Sequence, residues 1–205
     1  VTFILAMSFL FEQIGTFLQK PTFSLGDLGV IVIISYVVGH LIQGAGNILE
    51  EIYWLMWGGK PTDWVRSNKH KLVSDGQIQE LDTRLKKNLK REKVTSIRKL
   101  SPSAWNSIIN EMYGSIKSAN LDKRAYIFNG NYGLMRGVSA ALLIIMVTML
   151  IKNPETWKVG ILLLVGLTLA LFRMHRFGCY YAREVMTSFL NISQEKQKFQ
   201  EHKKG

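Results

Sequence analysis

The apolar hairpin from Tyr132 to Arg173 constrains this chain more than any other stretch. Residues Gly133–Ile151 (GLMRGVSAALLIIMVTMLI) carry one charge, Arg136, near their start. A polar break, Lys152–Thr156, follows. Trp157–Phe172 (WKVGILLLVGLTLALF) is then apolar again apart from Lys158 at its edge. A membrane-spanning helix needs about 20 mostly apolar residues, because the hydrocarbon core is about 30 Å thick and each helical residue rises about 1.5 Å. Two such runs joined by a short polar turn read as two spans.

A second pair lies upstream. Val1–Leu18 is apolar except around Glu12 and Gln13, with no positive stretch before the apolar core and no small-residue cleavage site after it. It therefore reads as a membrane span and not as a secretory signal. A turn, Gln19–Leu25, holds Pro21 and then Ser24, a residue type that caps helices. The next span begins near Leu28. Its first half is apolar, its second half carries His40, Gln43, Asn47, Glu50 and Glu51, and it ends at Tyr53, Trp54 and Trp57. Aromatic residues at that position suit an interfacial belt, with interior packing as the other reading.

Gly58–Gly59–Lys60–Pro61 is a breaker and marks a boundary. Beyond it Ile78, Leu81, Leu85 and Leu89 recur at helical spacing and predict an amphipathic helix over about Asp75–Lys93. Ser101 as cap and Pro102 at the first helical position predict another, with Trp105, Ile108, Ile109, Met112, Tyr113 and Ile116 as its apolar stripe. No stretch alternates at period two, so the fold class is all-α. The domains follow as a first transmembrane hairpin (1–57), a basic helical insert (58–129), a second hairpin (130–173) and a helical tail (174–205). Asn129 or Asn131 is placed to cap the third span, and the last helix is expected to run to about Leu190.

Charge is segregated along these domains. Gly58–Asn129 holds 15 Lys and Arg against 7 Asp and Glu, and Arg173–Gly205 holds 7 against 3, out of a net +11 for the 205-residue chain. Basic residues cluster beside one set of span ends: Lys60, Arg66, Lys69, Lys71, Lys117, Lys123, Arg124, Arg173, Arg176 and Arg183. The opposite turns hold only Lys20, Lys152 and Lys158. By the positive-inside rule the insert and both termini face the cytoplasm, in a four-span inner-membrane protein. The single cysteine, Cys179, excludes an internal disulfide and a cysteine metal cluster, and reads as a partly buried thiol just past a helix end.

Three constellations are candidates for function. His40, Gly44, Asn47 and Glu51 are spaced by four, three and four residues and share one face of the second span, with Glu50 beside them. Ionisable groups at membrane depth mark functional sites; the plainer reading is hydrogen bonding inside the helix bundle. Gly133, Gly137 and Ala141 form a small-residue ridge for close helix packing. Arg136, one turn in, can snorkel to the headgroups or pair with Glu50 or Glu51. Arg173, Arg176 and Arg183 lie broadly on one face and suit anionic lipid, or a phosphate-bearing ligand held together with cations of the insert. The run Lys86–Lys93 (KKNLKREK) suits a solvated helix face, an acidic partner or nucleic acid. No catalytic signature is present, neither P-loop, GxSxG nor HExxH; His40 with Glu51 would suit a metal or proton site, but a metal site usually needs three compact protein ligands, so no metal or cofactor is expected.

The segments YVVGHLIQGAGNILEEIYW, GGKPTDW, FNGNYGLMRG and RFGCYYARE together resemble a group of uncharacterised small four-span bacterial membrane proteins with a cytosolic insert. Proteins of this general kind serve anti-phage defence systems as membrane-disrupting effectors or as sensors. The small-residue ridge, the polar stripe of the second span and the basic insert point to a non-enzymatic, homo-oligomeric inner-membrane protein that perturbs or opens the membrane. Its basic cytosolic region would receive a protein partner, a nucleotide or another anionic ligand. The competing expectations are a membrane-embedded enzyme acting on a lipid or hydrophobic substrate through His40, Asn47, Glu51 and the arginines, and an anchor subunit of a complex.

Overall fold

The computed structural model describes residues 22, 24–67, 70–88 and 96–202. Every regular element among them is helical. They are α1 (Leu25–Met56), α2 (Pro61–Ser67), α3 (Asp75–Asn88), a 3-10 turn at Ile97–Lys99, α4 (Pro102–Ser118), α5 (Lys123–Lys152), a second 3-10 turn at Pro154–Thr156, and α6 (Trp157–His202). Three described helical segments are long and apolar enough to cross a membrane: those within Leu25–Ser67, Lys123–Lys152 and Pro154–Ile192. The first of the four expected spans, Val1–Leu18, lies outside the described residues, as does most of the basic run Lys86–Lys93.

Local chemistry explains where the helices start and stop. Ser24 Oγ accepts from the Asp27 amide at 3.1 Å, while the Asp27 carboxylate accepts from the Ser24 amide at 3.0 Å, a reciprocal cap that opens α1. At its far end the Gly59 amide donates to the Trp54 carbonyl at 2.8 Å and the Gly58 amide to the Leu55 carbonyl at 3.1 Å. That closure needs a left-handed residue, which Gly58 supplies at φ 74°. Ser101 caps α4 through the Ala104 amide at 3.3 Å, with Pro102 at the first position, and Asn120 at φ 58° closes its end the same way as Gly58.

Two expected ends move. Asn129 and Asn131 do not cap the third span: both lie inside α5, which starts at Lys123 with the Tyr126 amide on the Asp122 carbonyl at 2.8 Å. Each glycine of that stretch costs about 1 kcal/mol relative to alanine, but a helix already nucleated on both sides propagates through it. The last helix passes Leu190 and runs to His202, because no proline or glycine interrupts residues 179–202. Cys179 therefore sits within α6 instead of beyond its end, half-buried and unpaired as a thiol.

The chain divides into two compact units, Val1–Tyr53 with Gly133–Met174, and Trp54–Tyr132 with His175–Gly205. In the first, α5 and α6 form a hairpin over the short Asn153–Thr156 connection. Gly160 faces Leu150 and Gly166 faces Leu142, the descending order of an antiparallel pair. Ala140, Leu167, Ala170 and Met174 are buried there.

The second unit has a dense apolar core. Leu81, Leu85, Ile97, Trp105, Ile108, Met112, Ile116, Ala182, Val185 and Met186 are fully buried. Each large side chain among them contributes about 1.5–3 kcal/mol of burial. The insert thus packs against the tail portion of α6. Polar links fix the loops: Trp105 Nε1 donates to the Thr62 carbonyl at 2.9 Å, Arg66 to the Leu100 carbonyl at 3.0 Å, and the Ile97 amide to Asp82 at 2.7 Å.

Candidate functional site

In the first unit the polar residues of α1 divide between two faces. Glu50 is buried, and Arg136 Nη1 on α5 donates to its carboxylate at 2.6 Å. Gln43, two turns before Glu50, accepts from Arg136 Nη2 at 3.4 Å. Gly46 lies between them, and a Cβ there would stand 3.2 Å from Arg136 Cγ and 3.4 Å from its carbonyl oxygen. A Cβ on Gly137 would stand 2.9 Å from Gln43 Nε2. Small residues on both helices therefore let the backbones approach, and the polar groups fill the seam. The inward track of α1 is Gln43–Gly46–Glu50, at spacings of three and four.

His40, Asn47 and Glu51 lie on another face and are exposed among the described residues. His40 packs edge-on against Tyr36, with ring centres 4.5 Å apart. The four-residue stripe through Gly44 is thus not brought onto α5 or α6, and of the five polar positions Gln43 and Glu50 join the seam. Of the small-residue ridge, Gly137 makes the close approach. Gly133 has no heavy atom within 4 Å of its would-be Cβ among the described residues, and Ala141 is partly buried. No group of His, Cys, Asp and Glu suited to a metal ion occurs among the described residues.

In the second unit the aromatic residues gather into a cluster, with Trp54 packed in its interior. Trp54 and Trp64 are 2% and 3% exposed. Their rings stand 5.7 Å apart, edge to face. Trp54 Nε1 donates to the Tyr132 hydroxyl at 2.6 Å. Two histidines join: His175 lies 4.6 Å from Trp57 and 5.2 Å from Trp54, and His70 lies 4.2 Å from Trp64. Gly178 faces this cluster, where a Cβ would meet Trp54 Cζ2 at 3.0 Å and Tyr132 Cε2 at 3.3 Å. Trp57, at 44% exposure, and His70 are the members that meet the surroundings.

The three arginines of α6 have different surroundings. Arg173 is exposed and belongs to the first unit. Arg176 donates through Nε to the Tyr180 hydroxyl at 3.1 Å and lies 5.4 Å from that ring's centre. Arg183 Nε donates to the Leu72 carbonyl at 3.2 Å, which ties it to the insert. Sequence reasoning named Gln43 without placing it in a site, and passed over Gly46, Tyr132, His70 and Gly178. A signal existed for the first two, since they share a face with Glu50. No local signal marks Tyr132 or Gly178, because their partner Trp54 lies far away in sequence, while His70 meets Trp64 only six positions before it.

No protein-family model, no curated protein and no solved structure matches this chain.

Proposed function

We propose that the chain is a non-enzymatic, oligomeric membrane protein of the effector or sensor type, spanning the inner membrane with its basic helical unit in the cytoplasm. One observation carries the reading: three long apolar helices each continue into a basic unit with its own dense core. A chain that only anchored itself would need neither that core nor the ion pair of Arg136 with Glu50. The distribution of Lys and Arg beside the spans supports the cytoplasmic placement. The resemblance to small membrane proteins of bacterial defence supports testing membrane perturbation first.

The oligomer is supported by the polar face of α1, which is exposed among the described residues. His40, Asn47 and Glu51 are poor lipid neighbours, and a second copy presenting the same face offers them hydrogen-bond partners. Reconstituted protein should release a vesicle-entrapped dye when its ligand or partner is present, and Asn47→Leu should weaken both the leakage and the chemically cross-linked oligomer. Cross-linking that is unchanged in Asn47→Leu would remove the oligomer from the reading. Leakage that stays at background with a cognate partner added would remove the effector.

A further inference from the structure

We infer that the open cleft beside Leu72 is a binding site for a phosphate-bearing anion. The inference rests on the reading of the basic unit as the receiver of an anionic signal, and it names that signal's chemistry. The cleft has a volume of about 370 Å³ and lies wholly within the second unit, between the loop before α3 and the α6 residues Arg183 and Thr187. That volume is within the range of small-molecule sites.

The loop is built to hold a cation at the opening. Leu72 and Val73 are buried while Lys71 between them and solvent is exposed. Two apolar anchors therefore fix a segment whose charged neighbour stays in water. Across the cleft, Arg183 uses Nε on the Leu72 carbonyl, which sets the plane of its guanidinium. Its two terminal nitrogens have no hydrogen-bond or ion-pair partner among the described residues. Such a pre-oriented fork matches the oxygens of a phosphate group, with Lys71 adding a point charge. The acid in the wall, Asp75, is drawn to Arg98 at 3.5 Å, so it opposes an anion less than a lone carboxylate would.

Charge also selects the ligand. Two uncompensated cations favour a dianion such as a phosphomonoester over a single carboxylate. The amides at the start of α3 contribute little, because Ser74 and Gln77 close that turn on each other at 2.9 and 3.2 Å. Recognition therefore falls on Lys71 and Arg183. The Thr187 hydroxyl lines the cleft and already donates to the Arg183 carbonyl at 2.9 Å, so what it has left to offer a ligand is its acceptor capacity.

The test is calorimetric titration of the full chain in phosphatidylcholine nanodiscs with inorganic phosphate and with glycerol 3-phosphate. Both should bind, and Lys71→Ala and Arg183→Lys should each weaken binding by about tenfold or more, the loss of one charge-assisted contact. Lys117→Ala, a cation that does not line the cleft, should leave binding unchanged. Lys71 is exposed on a loop, so its variant keeps the fold, which circular dichroism verifies even if Arg183→Lys disturbs the Leu72 contact. Nanodiscs containing phosphatidic acid separate the sources: a lipid headgroup in the cleft abolishes the glycerol 3-phosphate heat, and a soluble ligand leaves it intact. Absence of binding by either probe, or equal weakening by Lys71→Ala and Lys117→Ala, would overturn the site. A silent leakage assay with cleft binding intact would instead count against the effector reading.

Discussion

The two units place the same residue types on opposite sides. In the second unit Trp105, Ile108 and Met112 are hidden and the charges face outward, as water demands. In the first, Val32, Ile33 and Leu162 are 67%, 65% and 70% exposed, while Glu50 and Ser139 are buried. Lipid chains are as apolar as leucine, so burying leucine against leucine gains little there. Polar partners and close backbone approach take over the task of choosing one arrangement. The comparison shows that a core must be read relative to its solvent, and that in the apolar half the informative residues are Gly46, Glu50, Arg136 and Gly137.

On that contrast, the largest single loss belongs to the second unit. Trp105→Ala removes a fully buried ring and its bond to the Thr62 carbonyl, and should cost about 3–5 kcal/mol. Urea unfolding of the full chain in detergent, followed by circular dichroism, checks this; a loss under about 1 kcal/mol would deny that the second unit is held by its core. Next is Glu50→Ala, which strands Arg136. The side chains of this pair are 8% and 23% exposed, so the penalty should fall to about 2–3 kcal/mol, below that of a fully enclosed pair. Replacing both, as Glu50→Leu with Arg136→Met, should recover most of it in a sodium dodecyl sulfate titration. Failure to recover would mean that the pair specifies the fold instead of merely tolerating its burial.

Gly178→Ala is a smaller test on the second unit. Its Cβ would press on the Trp54 and Tyr132 rings, which are stiff, for a loss of about 1–3 kcal/mol and altered tryptophan fluorescence. The smallest effect is expected at Asn47→Ala, where nothing described covers the side chain. The stability of the protomer should change by less than about 0.5 kcal/mol, whatever happens to its self-association. A larger loss would place Asn47 inside a packed seam and blur the contrast between the two faces of α1.

Much of the helical scaffold is legible residue by residue. Ser24, Ser101 and Pro102 announce helix starts, Gly58–Gly59 announces a stop, and the stripe Trp105–Ile116 announces the buried face of α4. These depend on contacts within about five residues, and the local chain carries them. Helix continuity was harder to read, because Asn129, Gly130 and Asn131 resemble a start while cooperativity carries α5 through them. Partner choice is where local reading stops. His40, Asn47, Glu50 and Glu51 look alike as intramembrane polar residues, and only the packing of α5 on α1 selects Glu50, by bringing Arg136 to it across 86 positions of sequence.

The sequence by itself determined that the chain is helical, that it carries stretches long and apolar enough to cross a membrane, and that its basic charge lies outside them. Hydropathy and propensity are sums over neighbouring residues, so no fold is needed to evaluate them. Tertiary structure alone decided that the tail of α6 completes the core of the insert. It also gathered Trp54, Trp64, His70, Tyr132 and His175 into one cluster, and set Arg183 against the Leu72 carbonyl. Most of those contacts, such as Trp54 with Tyr132 and Arg183 with Leu72, join residues tens of positions apart, and they exist only once the chain has closed the loops between them.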